Sequence, residues 1–386
     1  MLKRKVIVFR TKILPYSETF IKEQVLACQL WDSVLVGHFL IRKGLDITGV
    51  DYITLENKVC VLTELKRNIL KLIKFSPRKD FCIINSLRPE LIHVHFGVDL
   101  TINWSLLKKF NVPILVTLHG YDITISKEWW HSGKEGIHLK HYPEELLRIS
   151  RNDNVHFVAV SEAIKDKAIL FGIPAEKIHV KHIGIDTSQF NLSDIPFAER
   201  KQILFIGRLV DKKGCKVLLD AFARIYDKFP DHELKIIGDG PLKITLEKYA
   251  QDRSLNVKFM GACPKEIVIH ELVRTSVFCL PSVQADNGDA EGFGLVLLEA
   301  AASGVPVVTS ALGGSTEGVI HGKTGFSFPE HDSLQLASYL EELLSNVELM
   351  SSMGLAGRKF VEENFNILTC TASLEQLYDE LVIHNS

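Results

Sequence analysis

The segment QILFIGRLVDKKG, residues 202–214, joins a short apolar run to a polar loop that contains glycine and lysine. The run Gln202–Ile206 has the length and composition of a strand buried on both faces, which is typical of a parallel sheet covered by helices. In doubly wound sheets, the loops that bind ligands follow the carboxyl ends of strands. The segment therefore predicts an α/β fold and a ligand loop from Gly207 to Gly214.

The same pattern recurs on both sides of this segment. Apolar runs downstream are Glu233–Ile237, Val257–Met260, Val277–Leu280 and Val305–Thr309. Those upstream are Lys5–Phe9, Ser33–Val36, Leu91–His95, Ile114–Leu118 and His156–Val160, with helical patterns between them such as Thr19–Leu30 and Leu100–Phe110. Strands that alternate with helices in this way predict parallel sheets.

The length of 386 residues is typical of two domains. The segment Phe190–Lys201 lacks clear periodicity and is the best candidate for a linker. We therefore predict two doubly wound, Rossmann-like domains, 1–197 and 198–365, with a ligand site in a cleft between them. We expect residues 366–386 to form a helix that packs back toward the first domain.

Composition and charge narrow the class of protein. The net charge of −2 argues against a dedicated nucleic-acid-binding protein. Residues 1–110 carry 18 Lys and Arg against 10 Asp and Glu, whereas the rest of the chain carries 27 against 37, so the front of the chain is expected to face an anionic partner. Seven scattered cysteines indicate reduced thiols in the cytoplasm. No apolar run reaches the ~18 residues that a membrane span needs.

The most informative motif is EGFGLVLLE, residues 291–299. Gly292 and Gly294 let the backbone approach a ligand closely, and the apolar run after them predicts a helix whose N-terminus could bind an anion. On one helix, Glu291 and Glu299 would lie about 12 Å apart. That span suits a nucleotide-sugar, which has hydroxyls at both ends and a diphosphate between. The alternative is a surface turn before a core helix, with a solvated Glu299.

Two further loops lie at the ends of predicted strands. Arg208 and Lys213 could converge on a phosphate, although basic loops are often only solvated. The turn Gly238–Pro241 resembles part of a dinucleotide-binding motif but lacks its third glycine, so it is a weak signal alone.

Histidines mark the carboxyl ends of two strands in the first half of the chain. His119, before Gly120, is well placed to face a cleft. His93 and His95 share one face of a strand, but no third ligand at a persuasive spacing accompanies them, so we interpret them as structural. We therefore expect no metal ion and no cofactor.

Together these motifs resemble the retaining glycosyltransferases of family 4, which have the two-domain GT-B fold. The resemblance covers nearly the whole chain. It rests on Glu291 and Glu299 at their spacing, the Gly-Arg-Leu…Lys-Gly loop with Arg208 and Lys213, the Gly-Asp-Gly-Pro turn, and Gly313-Gly314…Glu317. Three segments are similar to the bacterial exopolysaccharide branch, which makes colanic acid and amylovoran: Ser17–Ile21, His119–Asp122 and Asn287–Asp289.

The resemblance assigns roles on the donor side. Arg208 and Lys213 would hold the diphosphate of a UDP- or GDP-linked sugar, assisted by the amides of Phe293, Gly294 and Leu295. Glu291 would bind the transferred sugar and Glu299 the ribose. His119 would contact the sugar near the reacting carbon, with no metal and no covalent nucleophile. His119, Glu291, Arg208 and Lys213 are therefore the predicted catalytic set.

The acceptor side is predicted in less detail. The resemblance places Ser17, Glu18 and Asp122 there, facing a saccharide that is free or linked to lipid. The chain departs from many relatives because its first loop, Lys12–Thr19, contains no glycine. The same feature argues against a Rossmann dehydrogenase, which needs glycines after its first strand.

Two other classes of function are open. One is a nucleotide-sugar epimerase or hydrolase of the same fold; a glycogen-type phosphorylase would be longer and would need a lysine for pyridoxal phosphate. The other is a non-catalytic, two-domain sugar-binding protein. The family 4 motifs favour the transferase over both.

A basic helical pattern lies between residues 58 and 79. It has one acid, Glu64, and seven basic residues: Lys58, Lys66, Arg67, Lys71, Lys74, Arg78 and Lys79. The simpler interpretation is an amphipathic helix whose apolar stripe packs on the sheet, but this leaves the excess charge unexplained. Each basic residue near an anionic leaflet contributes about 1 kcal/mol. We therefore predict peripheral binding at the inner face of the cytoplasmic membrane.

Overall fold

The computed structural model describes residues 3–15, 18–41, 44–56, 67, 69–70 and 73–384. The chain divides into two compact units. The first comprises Met1–Gly184 and Ile367–Ser386, and the second comprises Ile185–Asn366. The sequence-based boundary at 197 therefore falls inside the second unit.

The first unit is built on a parallel sheet with seven strands among the described residues, in the order β3-β2-β1-β4-β5-β6-β7. Its strands are β1 (Arg4–Ile13), β2 (Trp31–Leu40), β3 (Tyr52–Thr54), β4 (Leu91–His95), β5 (Ile114–Leu118), β6 (Val155–Ala159) and β7 (Ile178–Val180). The chain order reverses beside β1, which lies between β2 and β4. All residues of β4 and β5 are buried, including His93, His95 and Thr117, as expected for strands covered by helices on both faces.

The second unit has a six-stranded parallel sheet in the order β10-β9-β8-β11-β12-β13, again counted among the described residues. The strands are β8 (Gln202–Ile206), β9 (Glu233–Ile237), β10 (Val257–Gly261), β11 (Val277–Leu280), β12 (Val307–Ser310) and β13 (Gly325–Phe328). The order reverses between β8 and β11. The predicted pair of doubly wound sheets is therefore confirmed, whereas the short strands β3, β7 and β13 were not predicted.

Helices connect the strands in both units. In the first half of the chain they are α1 (Thr19–Ala27), α2 (Arg78–Ser86), α3 (Gly97–Leu107), α4 (Tyr121–Thr124), α5 (Lys127–His131), α6 (Tyr142–Ser150) and α7 (Glu162–Phe171). The second unit has α8 (Cys215–Ile225), α9 (Lys243–Asp252), α10 (Lys265–Leu272), α11 (Leu295–Ala302), α12 (Ser333–Leu344) and α13 (Val347–Asn364). Short 3-10 helices span Ile137–Leu139, Ala175–Lys177, Thr187–Gln189, Phe197–Glu199, Asp211–Lys213, Tyr226–Lys228 and Gly313–Gly318.

The last helix, α14 (Ile367–His384), belongs to the first unit. Its apolar residues join a buried cluster with residues of β1, β2, β4, β5 and β6; from α14 these are Leu374, Leu377, Tyr378 and Leu381. The hydroxyl of Tyr378 also lies 2.6 Å from Nδ1 of His93 on β4. The C-terminal helix therefore completes the core of the first sheet.

Candidate functional site

The loops after β8 and β11 meet where the strand order of the second sheet reverses. A ligand site in a doubly wound sheet is expected at such a position. Val283 N donates to Lys212 O at 2.9 Å, which ties the two loops together. Gly214 has φ 62°, and a Cβ there would lie 1.7 Å from the carbonyl oxygen of Pro281. Only glycine therefore fits where the first loop presses against the second.

Lys213 and Glu291 form an ion pair across these two loops. Glu291 is 9% exposed, and Ser282 Oγ donates to its Oε2 at 3.4 Å. Burial by itself would raise the pKa of Glu291, but the charges of Lys213 and Lys212, with hydrogen bonds from Lys213 and Ser282, lower it below its ordinary value. Glu291 is therefore ionised at neutral pH and lies against the lysine predicted to bind phosphate.

Glu291 does not lie on the helix that carries Glu299, so the predicted placement of both residues on one helix is wrong. Helix α11 begins at Leu295, after Gly294 with φ 84°. This left-handed conformation interrupts the helix before it can extend back to Glu291. Glu299 is half-buried on α11. The 12 Å separation expected for one continuous helix therefore does not apply.

The three predicted amide donors lie at the start of α11. The first N–H groups of a helix have no intrahelical acceptor and favour an anion there. Phe293 is buried, and its ring centroid is 5.3 Å from that of Phe365. Gly294 and Leu295 are partly exposed. Gly294 and Leu295 are thus the less buried residues of this turn, and the Phe293 ring packs against Phe365.

A glycine turn supports the backbone of Glu291 from the other side. Gly313 has φ 59°, and a Cβ at this position would lie 2.5 Å from the carbonyl oxygen of Glu291. The turn Gly313–Gly318 also contains Glu317, which is half-buried. The sequence showed the glycine pair but not that its first member contacts Glu291.

Arg208 lies in the same loop as Lys213 but in a different environment. It is exposed, and its side chain has no hydrogen-bond or ion-pair partner within the part of the chain that the structure describes. The loop itself is held by Leu209 N, which donates to Asp239 O at 2.9 Å. Gly238 packs so closely that an added Cβ would lie 1.8 Å from Gly207 O. The Gly-Asp-Gly-Pro turn, which was a weak motif in the sequence, thus supports the loop that carries Arg208.

In the first unit, Asp122 orders the turn that carries His119. It is fully buried and accepts hydrogen bonds from the backbone N–H groups of Gly97, His119 and Gly120 at 3.0, 3.1 and 3.1 Å. Burial raises the pKa of Asp122 to about 6, against the opposing effect of these bonds. Asp122, which was predicted to face the acceptor, is therefore buried within the turn that carries His119.

His119 belongs to a column of three histidines. Its Nε2 is 3.0 Å from Nδ1 of His95, and the ring of His95 stacks on that of His93 at 4.5 Å. Burial lowers the pKa of His119 well below its ordinary range, and the charge of Arg10 adds to this. The two ring nitrogens of His93 contact the hydroxyl groups of Tyr378 and Thr117. The contact between His95 and His119 joins the ends of two strands, so no spacing along the chain could predict it.

Glu18 is part of a buried ion-pair network. Both of its carboxylate oxygens accept hydrogen bonds from Arg10, which also pairs with Asp99. Glu18 therefore holds the start of α1 against β1 and does not present a free carboxylate. Ser17, also predicted on the acceptor side, lies outside the described residues.

Arg67 is not available to a membrane surface, which corrects its place in the basic pattern predicted between residues 58 and 79. It is 5% exposed and donates to Glu56 at 2.7 Å and to Asp80 at 3.1 Å. A buried arginine needs such partners, because an uncompensated buried charge is costly. Lys74, Arg78 and Lys79 are exposed, whereas Lys58, Lys66 and Lys71 lie outside the described residues.

Among the described residues, no group of three or more His, Cys, Asp or Glu side chains is placed to hold a metal ion. No helix of the described ranges is long and apolar enough to cross a membrane.

Family models match most of the chain. Residues 51–189 match the model described as Glycosyltransferase Family 4, and residues 190–360 match that described as Glycosyl transferases group 1. The sequence is 32% identical over 297 residues to the amylovoran biosynthesis glycosyltransferase AmsK of Erwinia amylovora, covering 76% of this chain and 70% of AmsK. It is 28% identical over 306 residues to the putative colanic acid biosynthesis glycosyltransferase WcaL of Escherichia coli K12, covering 78% and 72%.

The structure is similar to that of HepE from Anabaena, solved in complex with UDP-glucose. The TM-score is 0.77 over 97% of this chain and 99% of HepE, at 18% sequence identity. At this identity the likeness shows the fold, and the GT-B fold predicted from the sequence is confirmed.

Proposed function

Because the chain belongs to the glycosyltransferases of family 4, we propose that it is a retaining hexosyltransferase that moves a sugar from a UDP- or GDP-linked donor to a saccharide acceptor. The observation that carries this proposal is the pairing of Lys213 with Glu291 where the strand order of the second sheet reverses. A cation that can meet a phosphate and a carboxylate that can meet sugar hydroxyls lie side by side there.

The leaving diphosphate is the part of the donor that this site is best suited to bind. Arg208 is exposed and unpaired among the described residues, and Lys213 can exchange Glu291 for a phosphate oxygen. The amides at the start of α11 add partial positive charge, and Glu299 holds the ribose in this proposal. Fixed positive groups of this kind stabilise a leaving group by several kcal/mol.

The resemblance to retaining family 4 enzymes implies the transfer step of this proposal. The bond between the anomeric carbon and the phosphate oxygen breaks, and the acceptor oxygen attacks the same face. The acceptor proton passes to the departing phosphate oxygen, so the configuration is retained without a covalent enzyme intermediate. His119 would contact the sugar near the reacting carbon, as the family resemblance implies. In this proposal Arg208 and Lys213 neutralise the charge of the leaving diphosphate, so we predict that the reaction needs no metal ion.

The acceptor and its location are proposed from the relatives and from surface charge. AmsK and WcaL are named for amylovoran and colanic acid synthesis, so we propose a lipid-linked saccharide of a bacterial surface or exopolysaccharide. Lys74, Arg78 and Lys79 are exposed, as are the apolar residues Ile73 and Phe75. Such a mixture suits peripheral contact with an anionic leaflet.

The proposal is tested by incubating the protein with a panel of UDP- and GDP-sugars, with and without membrane lipid extract. We expect nucleoside diphosphate release with one donor, dependent on acceptor, unaffected by EDTA, and an α-linked product from an α-linked donor by NMR. Lys213→Met should lower kcat about a hundredfold. The exposed Lys228→Met serves as a control.

Other outcomes would contradict parts of the proposal. Release without any acceptor would favour a hydrolase, and interconversion of the donor sugar would favour an epimerase. Donor binding without any turnover would favour a sugar-binding protein. Activity abolished by EDTA and restored by magnesium would contradict the role given to Arg208 and Lys213.

A further inference from the structure

A second ion pair lies directly beside Lys213 and Glu291. Lys212 Nζ is 3.0 Å from Oδ1 of Asp289 and 2.9 Å from Oδ2, so both carboxylate oxygens are engaged. The side chains are only 23% and 14% exposed, which protects the pair from the screening that weakens surface pairs. Consecutive lysines of the loop after β8 thus each bind one acid of the loop after β11.

Asp289 also closes the turn that leads into Glu291. Its N–H donates to Asn287 Oδ1 at 3.0 Å, and its carbonyl accepts from Ala285 N at 2.9 Å. Gly288, with φ 89°, makes the reversal possible. The position of Asp289 therefore determines where the backbone enters Glu291, two residues later.

The two pairs differ in what donor binding does to them. A diphosphate at Lys213 competes with Glu291 for the same ammonium group, because a phosphate oxygen is also a strong charge-assisted acceptor. The proposed donor contacts do not include Lys212 or Asp289, so donor binding leaves their pair intact. The positive charge of Lys212 also stays near Glu291, whose pKa it helps to lower.

We propose that Lys212 and Asp289 are positioning residues that hold Glu291 in place when Lys213 leaves it for the donor diphosphate. This inference rests on the proposed function, since it takes Lys213 as the phosphate ligand. Glu291, which would bind the transferred sugar, then meets the sugar from a loop that does not move. The effect is on turnover rather than on nucleotide binding.

The test compares four variants with wild type under the donor assay described above. Lys212→Met and Asp289→Asn each break the pair, the double variant removes both charges, and Lys212→Arg keeps the charge. Lys228→Met breaks an exposed pair with Glu341, on the connection after α8, and is the matched control. Circular dichroism and the melting shift with UDP and GDP check folding and nucleotide binding.

We expect each single variant to lower kcat roughly tenfold to a hundredfold, the range that a small misplacement of a reacting group produces. The KM for donor and the nucleotide-induced melting shift should stay near wild type. The double variant should lose no more than either single variant, because both remove one interaction. Lys212→Arg should retain most of the wild-type kcat, and Lys228→Met all of it.

Wild-type kcat in both single variants would overturn the inference, as would losses that multiply in the double variant. A loss confined to melting temperature would do the same, since it would show a purely structural pair. These results require an active wild-type enzyme. A wild type that neither binds nor turns over any nucleotide-sugar would instead overturn the proposed function itself.

Discussion

His95 and His119 share a hydrogen bond, with 3.0 Å between Nδ1 of His95 and Nε2 of His119. Burial holds the pKa of both rings well below the ordinary value, so both are neutral near pH 7. One ring must therefore donate and the other accept. His95 Nε2 is buried without a partner among the described residues, and a bare nitrogen there costs less than an unpaired N–H. His95 Nδ1 is then the donor, and His119 keeps its own proton on Nδ1.

Breaking this bond should lower turnover without loss of the fold. His95→Phe keeps an aromatic ring in the stack but removes the donor to His119. We expect kcat to fall about fivefold, because one hydrogen bond contributes about 1 kcal/mol. The measurement is kcat and KM for the donor, with the half-buried His156→Phe as control. Unchanged kcat in His95→Phe would show that His119 needs no orientation by His95.

The histidine column should make the first unit less stable in mild acid. Burial lowers the pKa of His93 to about 3 and that of the other two well below 6.5, so these rings gain protons only on unfolding. Their contribution is therefore fully present above pH 6.5 and is lost as the pH falls below it. Each histidine adds up to about 1.4 kcal/mol per pH unit to the slope of unfolding free energy, a limit approached well below pH 6.5.

Urea unfolding between pH 7 and pH 5 measures this slope. Tryptophan fluorescence reports on the first unit alone, because it contains all four tryptophans: Trp31, Trp104, Trp129 and Trp130. We expect His93→Gln to reduce the average slope over this range by about 1 kcal/mol per pH unit, because an unfolded histidine is only partly protonated near pH 6.5. An identical slope in wild type and variant would mean that His93 is protonated in the folded protein.

Gly313 should be essential for its contact with Glu291 rather than for its backbone conformation alone. Gly322 offers a matched comparison, since its φ is 73° and nothing lies within 4 Å of an added Cβ. Alanine at either position costs about 1 kcal/mol in the left-handed region. Only Gly313→Ala should also displace Glu291 and reduce kcat. Equal losses of kcat in the two variants would contradict this.

Membrane binding should depend on the exposed basic residues and not on Arg67. Reversing Lys74, Arg78 and Lys79 to Glu should weaken binding to anionic vesicles about a hundredfold or more, at about 1 kcal/mol per residue. The control reverses three exposed lysines of the second unit: Lys228, Lys323 and Lys359. Sedimentation at two salt concentrations measures the effect. Equal partitioning of the two triple variants would favour a soluble acceptor.

The amino-acid sequence alone determined the architecture and the family. Five largely apolar runs predicted strands with the same bounds as in the structure. They are Leu91–His95, Ile114–Leu118, Gln202–Ile206, Glu233–Ile237 and Val277–Leu280. Such runs are local, because strands of a parallel sheet covered by helices are largely apolar. The short strands Tyr52–Thr54 and Gly325–Phe328 carry too few residues to show this pattern.

Tertiary structure decided what depends on contacts between distant segments. A helical pattern could not reveal that Gly294 interrupts the helix before Glu291, because its left-handed conformation is a property of the folded loop. The charge of Arg67 predicted an exposed position, but in the fold its side chain forms ion pairs with Glu56 and Asp80. Lys212 and Asp289 lie 77 residues apart, and His95 and His119 lie 24 apart. Partners that meet only in the fold leave no spacing in the chain by which to predict them.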